Sequence, residues 1–198
     1  FPLELTEEIA AERGQKIDQK LFREAFQRHK AQSRSGSAEK FKGGLADSSV
    51  ITTRYHTATH LLQAALRLIL GDIVKQMGSH ITQERARFDF TFTRALEDTE
   101  KRQVEAQINL WIKQALAVEK KTMTKLEALN SGATAFFEER YPDKVTVYTI
   151  GKTGKTWVSK ELCGGPHVQN TQEIGLVKLL KEQSSSAQVR RIYLTFVE

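Results

Sequence analysis

Cysteine and long apolar runs are scarce in this sequence. Its 198 residues include one cysteine, so no disulfide can form within the chain, and a single thiol is typical of a reducing compartment. No apolar run approaches the length of a membrane span, and no signal-peptide pattern opens the chain. Internal repeats and heptad patterns are also absent. These absences argue against a disulfide scaffold, a membrane-spanning protein and a coiled coil, and we expect a cytoplasmic location.

Composition and charge are typical of a globular protein with an anionic partner. Hydrophobic residues make up 39% of the chain and charged residues 27%, which allows one medium domain with a sizeable core. The net charge is +6 at pH 7, and the excess lies between Arg13 and Lys42, where nine Lys and Arg residues face three Asp and Glu residues. On charge alone, a nucleic-acid contact and a solvated helix face explain this segment equally well. Because the chain starts at Phe1 rather than methionine, we expect it to be part of a longer protein.

Helical patterns occupy the beginning of the chain. Residues 1–14 predict a short helix that ends at Gly14, and an apolar stripe predicts a second helix from near Asp18 to about Ala31. The stretch SRSGSAEKFKGGLADSS follows, and its serine and glycine content predicts a linker. We therefore predict two domains: a helical extension and linker at residues 1–45, and the main domain at residues 46–198.

The rest of the sequence combines helices with strands and ends in a β-rich third. It predicts helices at about Thr53–Gly71 and Leu96–Gln114, a strand at Arg85–Phe92, and an interrupted helix at Leu126–Tyr141. KVTVYTI and TWVSKEL flank GKTGK, a hairpin pattern, and LVKLLKEQ and VRRIYLTFV predict two more strands around a serine-rich turn. This order predicts an α+β fold in which an antiparallel sheet is packed with helices.

Four residues of zinc-binding type occur in two matching pairs. His56 and His60 are one turn apart on a predicted helix, so their imidazoles lie on one face. Cys163 and His167 have the same separation across a Gly-Gly-Pro turn in ELCGGPHV. Three imidazoles and one thiolate suit tetrahedral Zn²⁺, which predicts a zinc site between the helix and a loop at the sheet edge. The alternative for each residue is an ordinary polar or core position.

The residues around these pairs limit the chemistry. HTATH lacks the glutamate that HExxH peptidases use as a base, which argues against a zinc peptidase. Four protein ligands fill a tetrahedral shell, so a structural staple between helix and sheet explains the site equally well. Against a pure staple, the polar residues Thr57, Thr59 and Gln76 lie close by in the sequence. One of Arg190 and Arg191 can also point into the same pocket, because neighbouring strand residues face opposite ways.

Several of these strings together resemble one family. HTATHLLQAALRLILG, KQMGS, RFDF, ELCGGPHV and VRRI follow one another between about Thr53 and Phe196. In this order they are similar to the editing domain of alanyl-tRNA synthetases and free-standing alanyl-tRNA editing proteins, which is related to the editing domain of threonyl-tRNA synthetases. FPLELTEEIAAERG also resembles the stretch that joins the aminoacylation and editing parts of alanyl-tRNA synthetases. The resemblance implies the C-terminal part of such a synthetase, or a close relative.

The resemblance implies an aminoacyl-tRNA hydrolase with zinc as its cofactor. Its substrates would be Ser-tRNA(Ala) and also Gly-tRNA(Ala), cleaved at the ester to the terminal adenosine of the acceptor end. The positions that match the metal ligands of the family are His56, His60, Cys163 and His167. The resemblance also implies that the zinc organises the pocket more than it performs the chemistry.

The resemblance and the residues together suggest further roles. Thr59 and Gln76 match positions that choose the amino acid, since a site that hydrogen-bonds the serine hydroxyl can reject alanine. We expect the backbone N–H groups of Gly164 and Gly165 to stabilise the developing oxyanion. We predict that Arg190 and Arg191 contact the tRNA.

Two departures from the family pattern keep other functions open. The chain reads CGGPH where the family usually has CGGTH, and Pro166 resembles the CRGPH of threonyl enzymes, so Ser-tRNA(Thr) is an alternative substrate. The glycine-rich β-barrel that alanyl enzymes carry before HTATH is also missing. A non-catalytic, zinc-stapled module that binds the tRNA acceptor end is therefore the competing hypothesis.

Overall fold

The computed structural model describes residues 3–25, 27–28, 45–136, 141–152 and 156–197. The chain divides into two compact units, Phe1–Phe41 and Lys42–Glu198. In the first unit, α1 (Leu3–Glu12) precedes α2, which is helical at 19–25 and 27–28. Gln19 Nε2 donates a hydrogen bond to Glu7 Oε1 at 2.6 Å and links the two helices. Residues 29–44, with most of the predicted linker, lie outside the described residues, and the predicted domain assignment stays a prediction.

The second unit contains a long helix whose start is fixed by several hydrogen bonds. This helix, α3, covers Val50–Leu70 and begins at the cap Ser49, whose Oγ accepts a hydrogen bond from the Thr52 N–H. Asp47 Oδ1 accepts from the Ser49 N–H at 2.9 Å and from Thr52 Oγ1 at 2.8 Å. Gly71, at a φ of 96°, ends the helix. No helix of the described residues is long and apolar enough to cross a membrane.

Among the described residues of the second unit, seven antiparallel strands form two sheets. The first sheet has the order β1 (Gln76–Ile81), β2 (Ala86–Thr91), β7 (Val189–Phe196), β6 (Val177–Ser186). The second sheet has the order β3 (Val118–Thr124), β4 (Lys144–Lys152), β5 (Thr156–Leu162). The other helices are α4 (Asp98–Lys113), α5 (Lys125–Asn130) and a short 3-10 helix (Thr171–Ile174). The predicted α+β class is confirmed, with two antiparallel sheets in place of one.

The main core lies where α3 and α4 pack against the first sheet. Residues of both helices and of the strands β2 and β7 are fully buried there, among them Leu61, Leu62, Leu66, Val104, Ile108, Phe88, Phe90 and Leu194. Burial of each such side chain contributes about 1.5–3 kcal/mol. Asn109 holds α4 on the sheet edge, because its side chain donates to Val177 O at 2.8 Å and accepts from Val177 N–H at 2.9 Å. The helix α3 is therefore a rigid base for any site built on it.

A smaller cluster of apolar residues lies under the second sheet. Its buried members come from α5, β4 and β5 and are Ala128, Ala133, Val145, Val147 and Leu162. The helix predicted at Leu126–Tyr141 is shorter than expected, since α5 ends at Asn130. Gly132 then takes a φ of +80°, which is incompatible with a continued helix. Residues 137–140 and the hairpin tip at 153–155 lie outside the described residues.

Candidate metal centre

Four side chains from distant parts of the chain converge in the second unit. His56, His60, Cys163 and His167 each offer one ligand atom, and these atoms all lie within 4.8 Å of one another. Cys163 Sγ is 3.3 Å from His56 Nε2 and 3.5 Å from His167 Nε2. In a tetrahedral zinc site, bond lengths of about 2.0–2.1 Å to nitrogen and 2.3 Å to sulfur place these atoms about 3.6 Å apart. The donor set and its spacing therefore fit one tetrahedral metal ion, and we call these residues the four-residue cluster.

Local backbone structure brings the two pairs together. His56 and His60 lie on the buried face of α3. Cys163 directly follows β5, and its N–H donates to Thr146 O at 3.0 Å, which fixes the end of the strand. The Gly-Gly-Pro turn then passes over His56, where a Cβ at Gly165 would lie 2.4 Å from His56 Cε1. The turn can approach the helix this closely only because Gly165 has no side chain.

Hydrogen bonds outside the cluster determine which imidazole nitrogen faces inward. His56 Nδ1 lies 2.9 Å from Pro166 O, and since a carbonyl only accepts, Nδ1 carries the hydrogen. His167 Nδ1 lies 3.1 Å from Thr57 Oγ1, which itself donates to Thr53 O at 3.2 Å. Thr57 therefore accepts from His167. In both histidines Nε2 is left unprotonated and faces Cys163, as a metal ligand requires.

His60 has a different partner from the other two histidines. Its Nδ1 lies 3.2 Å from Glu161 Oε2, and both side chains are only 7% exposed. Ser159 Oγ donates to the other oxygen, Glu161 Oε1, at 2.7 Å. The two groups are within ion-pair distance, but no hydrogen bond of good geometry joins them. A carboxylate beside the outer nitrogen of a histidine is a common support of metal-binding imidazoles. The cluster thus has a neutral acceptor on two histidines and a carboxylate beside the third.

Burial dominates the electrostatics of the cluster. It lowers the pKa of His56 and of His60 to about 3, and the pKa of His167 falls well below its usual value for the same reason. Burial also raises the pKa of the Cys163 thiol to about 12, although hydrogen bonds from the backbone N–H groups of Gly165 and Gly164 oppose this rise. Without a cation, the four groups are therefore neutral near pH 7. A bound metal cation would favour the thiolate and reverse this balance at the sulfur.

A polar cavity of about 260 Å³ borders the cluster on the side of Glu161. It lies between α3, β5 and the segment after α5. Its lining residues are Gln63, Ala64, Arg67, Gly132, Thr134, Phe136, Trp157, Val158, Ser159, Lys160 and Glu161. Trp157 is 45% exposed, and Lys160 Nζ lies 4.8 Å from the centre of its ring. Glu161 is shared, since it lines the cavity and contacts His60.

The residues predicted to choose the amino acid do not line this cavity. Thr59 is buried, and its Oγ1 donates to His56 O at 2.7 Å within α3. Gln76 is half-buried at the first position of β1, opposite Phe90. Their predicted role in selectivity stays a prediction.

The remaining predicted site residues already have partners. The N–H groups of Gly164 and Gly165, predicted to stabilise an oxyanion, are hydrogen-bonded to Cys163. Arg190 forms an ion pair with Glu182. Arg191 donates to both oxygens of Asp89, at 2.6 and 2.9 Å. The oxyanion role of the glycines and the tRNA-binding role of the arginines stay predictions, and these pairs give the arginines a structural role within the first sheet.

The sequence did not predict several residues that surround the cluster. Glu161 and Ser159 support His60, and the ring centre of Tyr148 lies 4.2 Å from that of His167. Glu161 stands two positions before Cys163 at the end of a predicted strand. Alternation along a strand places both side chains on one face, and this signal could have identified Glu161. Tyr148 is on a different strand, and its pairing with Glu161 required the register of β4 and β5.

The sequence of this chain is similar to parts of known aminoacyl-tRNA synthetases. Residues 145–193 match the family described as the threonyl and alanyl tRNA synthetase second additional domain. Over 198 residues, 100% of this chain, the sequence is 50% identical to an alanine–tRNA ligase of Borreliella afzelii and covers 32% of it. Over 192 residues, 97% of this chain, it is 52% identical to that of Treponema denticola and covers 31% of it. Over 141 residues, 71% of this chain, it is 50% identical to that of Thermotoga maritima and covers 16% of it.

The matched segment contains Cys163 and His167, so half of the four-residue cluster lies inside the segment that is similar to this family. The chain as a whole corresponds to the region of alanyl-tRNA synthetases that contains this domain, which confirms the resemblance found in the sequence. It spans about a third of the length of the Borreliella and Treponema relatives. These similarities support a tRNA-related role.

Proposed function

We propose that this region hydrolyses the ester of mischarged tRNA, with Ser-tRNA(Ala) as the main substrate and Gly-tRNA(Ala) as a second one. The observation that carries the proposal is the buried four-residue cluster beside a polar cavity, in a chain similar over its whole length to alanine–tRNA ligases. Hydrolysis of such esters is the activity that the sequence resemblance implies. The partner is then the acceptor end of the tRNA.

Zn²⁺ is the metal that best suits the cluster. Three imidazoles and one thiolate are a typical zinc donor set, and His56, His60, Cys163 and His167 would hold the ion. When bound, zinc would supply a positive charge and a rigid link between α3 and the turn after β5. Because the four side chains fill a tetrahedral shell, we assign the cluster to organising the site rather than to activating water.

The cavity beside Glu161 is the place that we assign to the acylated end of the tRNA. Its volume of about 260 Å³ suits an aminoacyl group or one nucleoside rather than a larger body of RNA. Trp157 and Lys160 at the cavity are an aromatic ring and a cation, which contact each other, and Lys160 Nζ also donates to Ser131 O at 2.7 Å. Stacking of bases on aromatic rings and contacts of cations with phosphates are the usual means of holding a single-stranded end.

Selection of serine over alanine follows from hydrogen bonding. A synthetic site for alanine cannot strongly reject a substrate that merely adds a hydroxyl group. A second site that binds this hydroxyl rejects alanine, because alanine leaves buried polar groups unpaired. Thr59 and Gln76 keep this role only by their match to the family, since neither lines the cavity that we assign to the acylated end. Thr59 would have to give up its hydrogen bond to His56 O, or accept one from the substrate at the same time.

Proton transfer during hydrolysis has no obvious side chain to perform it. The three imidazoles of the cluster have Nδ1 on outer partners and Nε2 toward Cys163 or the centre of the cluster. His56 and His167 therefore offer no free nitrogen as a general base, and the buried His60 Nδ1 faces the Glu161 carboxylate. We assign this step to the neighbouring ribose hydroxyl of the terminal adenosine, which lies beside the ester in the substrate itself.

Two alternatives differ in substrate or in chemistry. The CGGPH string favours Ser-tRNA(Thr), but the relatives of this chain are alanine–tRNA ligases, which favours tRNA(Ala). A non-catalytic module that binds the acceptor end is favoured by the filled donor shell and the committed imidazoles. Both alternatives place the tRNA end at the same cavity.

Deacylation assays separate these possibilities. The chain is incubated with Ser-tRNA(Ala), Gly-tRNA(Ala), Ser-tRNA(Thr) and Ala-tRNA(Ala), with a Cys163→Ala chain as the inactive control. We expect Ser-tRNA(Ala) to be hydrolysed on the order of 100-fold or more faster than Ala-tRNA(Ala). Faster hydrolysis of Ser-tRNA(Thr) would favour the threonyl alternative. Tight binding of all four tRNAs without hydrolysis would leave the binding module as the function.

A further inference from the structure

We propose that Glu161, supported by Ser159, is a positioning residue that orients His60 toward the metal centre and strengthens metal binding there. The inference rests on the proposed role of the four-residue cluster as a metal site. Neither residue was assigned a role from the sequence or from its resemblance to a family.

The Glu161 carboxylate lies at ion-pair distance from a buried His60 nitrogen that has no hydrogen bond of good geometry in the structure. Glu161 Oε2 lies 3.2 Å from His60 Nδ1, and Oε1 accepts from Ser159 Oγ at 2.7 Å. Each oxygen of the carboxylate therefore has its own partner, so the group cannot rotate without loss of one contact. The backbone is fixed as well, because Glu161 pairs with Tyr148 of β4 on one side and with Thr134 on the other.

His60 differs from the other two histidines because the group beside its outer nitrogen lies on β5. The outer nitrogens of His56 and His167 face a backbone carbonyl and a threonine hydroxyl. The carbonyl belongs to Pro166 in the turn, and the hydroxyl belongs to Thr57 on α3. His60 faces the sheet, where only the Glu161 side chain reaches its Nδ1 among the described residues. A carboxylate in this position fixes the ring and makes the inner nitrogen a stronger electron donor to a metal ion.

Packing alone does not explain a carboxylate at this position. Glu161 and His60 are each 7% exposed at the side chain, and burial of a carboxylate carries a large desolvation cost. Ser159, which is also buried, offsets part of this cost through its hydrogen bond. An apolar side chain would fill the same volume at a lower cost, as replacements of buried ion pairs have shown. A metal-binding histidine supplies one reason for a carboxylate here, and Arg67 also interacts with it electrostatically.

Zinc affinity of variants tests the inference directly. Glu161→Gln keeps the size and an acceptor for His60 but lacks the charge, whereas Glu161→Ala lacks both, and Ser159→Ala removes only the support. Affinity is measured by competition with a chelator, in the absence of tRNA. We expect a loss of about 10–100-fold for Glu161→Ala and a smaller loss for the other two. The matched control is Glu182→Gln, which alters another buried carboxylate, one paired with Arg190, and should leave zinc affinity unchanged.

A spectroscopic measurement distinguishes positioning from a general loss of structure. Co²⁺ replaces zinc in each variant, and its visible absorption reports the geometry around the ion. We expect an altered spectrum for Glu161→Ala and partial recovery for Glu161→Gln, with an unaltered spectrum for Glu182→Gln. If Glu161→Ala does not fold, Glu161→Gln decides the matter by the same two measurements.

Two results would overturn the inference. One is a folded Glu161 variant that binds zinc as tightly as the original chain and gives the same Co²⁺ spectrum. The other is an original chain that binds no zinc at all. Because these measurements need no tRNA, they are independent of deacylation. A chain that binds zinc through Glu161 and His60 but does not hydrolyse Ser-tRNA(Ala) would contradict the proposed function and leave this inference intact.

Discussion

The absence of a side chain at Gly165 permits the four-residue cluster to form. The turn after Cys163 crosses α3 so closely that an alanine Cβ at this position would lie 2.4 Å from His56 Cε1 and 2.8 Å from His56 Nδ1. The same turn carries Pro166, whose carbonyl oxygen fixes the His56 ring. Any residue larger than glycine must therefore push either the turn or the ring out of position.

We predict that Gly165→Ala weakens zinc binding by at least about tenfold, since a displacement that costs about 1.4 kcal/mol changes an equilibrium constant by this factor. Isothermal titration of the metal-free chain with zinc measures the effect. The matched control is Gly164→Ala, because Gly164 belongs to the same turn but is exposed. Equal affinities for the Gly165 variant and the original chain would show that the close approach is not required.

The buried histidines also determine how the metal-free chain responds to acid. Burial lowers the pKa of His56 and His60 to about 3 from 6.5, and lowers that of His167 in the same direction. Between these values the unfolded chain binds protons at three imidazoles that the folded chain leaves neutral, so stability falls as the pH falls. Glu161 acts in the opposite sense, because burial raises its pKa to about 7 from 4.5 and folding is weakened as the pH rises through this range.

The three histidines together contribute more to the pH dependence of stability than the one glutamate, which acts in the opposite direction. We therefore predict that the free energy of unfolding of the metal-free chain decreases from pH 6.5 toward pH 4. Urea unfolding at a series of pH values measures this dependence. A chain in which His56, His60 and His167 are all replaced by glutamine serves as the control and should lose most of the slope. A stability that stays constant or increases over this range would contradict the assigned burial of the imidazoles.

Among the elements, α3 depends on a cap that lies just before its histidines. Ser49 Oγ accepts from the N–H of Thr52, and Asp47 holds the hydroxyl of Thr52. His56 and His60 lie in the second and third turns after this cap. The start of α3 therefore sets the position of half of the four-residue cluster.

We predict that Ser49→Ala lowers the free energy of unfolding by about 1 kcal/mol, the usual cost of removing a serine cap. Urea unfolding of the second unit within the full chain measures the change. Ser48→Ala is the matched control, because Ser48 is a neighbouring exposed serine outside the cap position, and its effect should be small. A cap variant as stable as the control would mean that Asp47 alone fixes the start of the helix.

Elements with strong patterns could be predicted from the sequence, and elements at sheet edges could not. The apolar spacing of α3 and the glycine at its end indicated that helix almost to its bounds. β1 and β3 were missed because both are edge strands whose sequences, QMGSHI and VEKKTMT, are largely polar. The helix after Lys125 was predicted too long, although the interruption expected near Gly132 is present, because α5 ends at Asn130 and Gly132 takes a positive φ.

The candidate site was predictable in its residue types and less so in its surroundings. Rare histidines and one cysteine at matching spacings were enough to indicate that His56, His60, Cys163 and His167 meet. The partners of these residues depend on strand register and on the path of the turn. Glu161 and the ion pairs of Arg190 and Arg191 follow from that register, which no single segment of sequence contains.

At the scale of the whole second unit, the four-residue cluster lies where its two layers meet. One face of α3 belongs to the main core with the first sheet, and its histidines contact the end of β5 in the second sheet. The cavity opens on the same boundary. A metal ion at the cluster would therefore fix the two sheets relative to one another around the cavity, and we expect metal loss to affect the cavity and not only the cluster.

The stoichiometry of zinc binding tests this account most directly. Native mass spectrometry of the chain refolded with zinc should show one ion per chain, and the Cys163→Ala and His60→Ala chains should show none under the same conditions. An exposed histidine outside the cluster, His80, provides the control, since His80→Ala should keep one ion. A bare original chain, or a Cys163→Ala chain that retains the ion, would contradict the claim that these four side chains form one metal site.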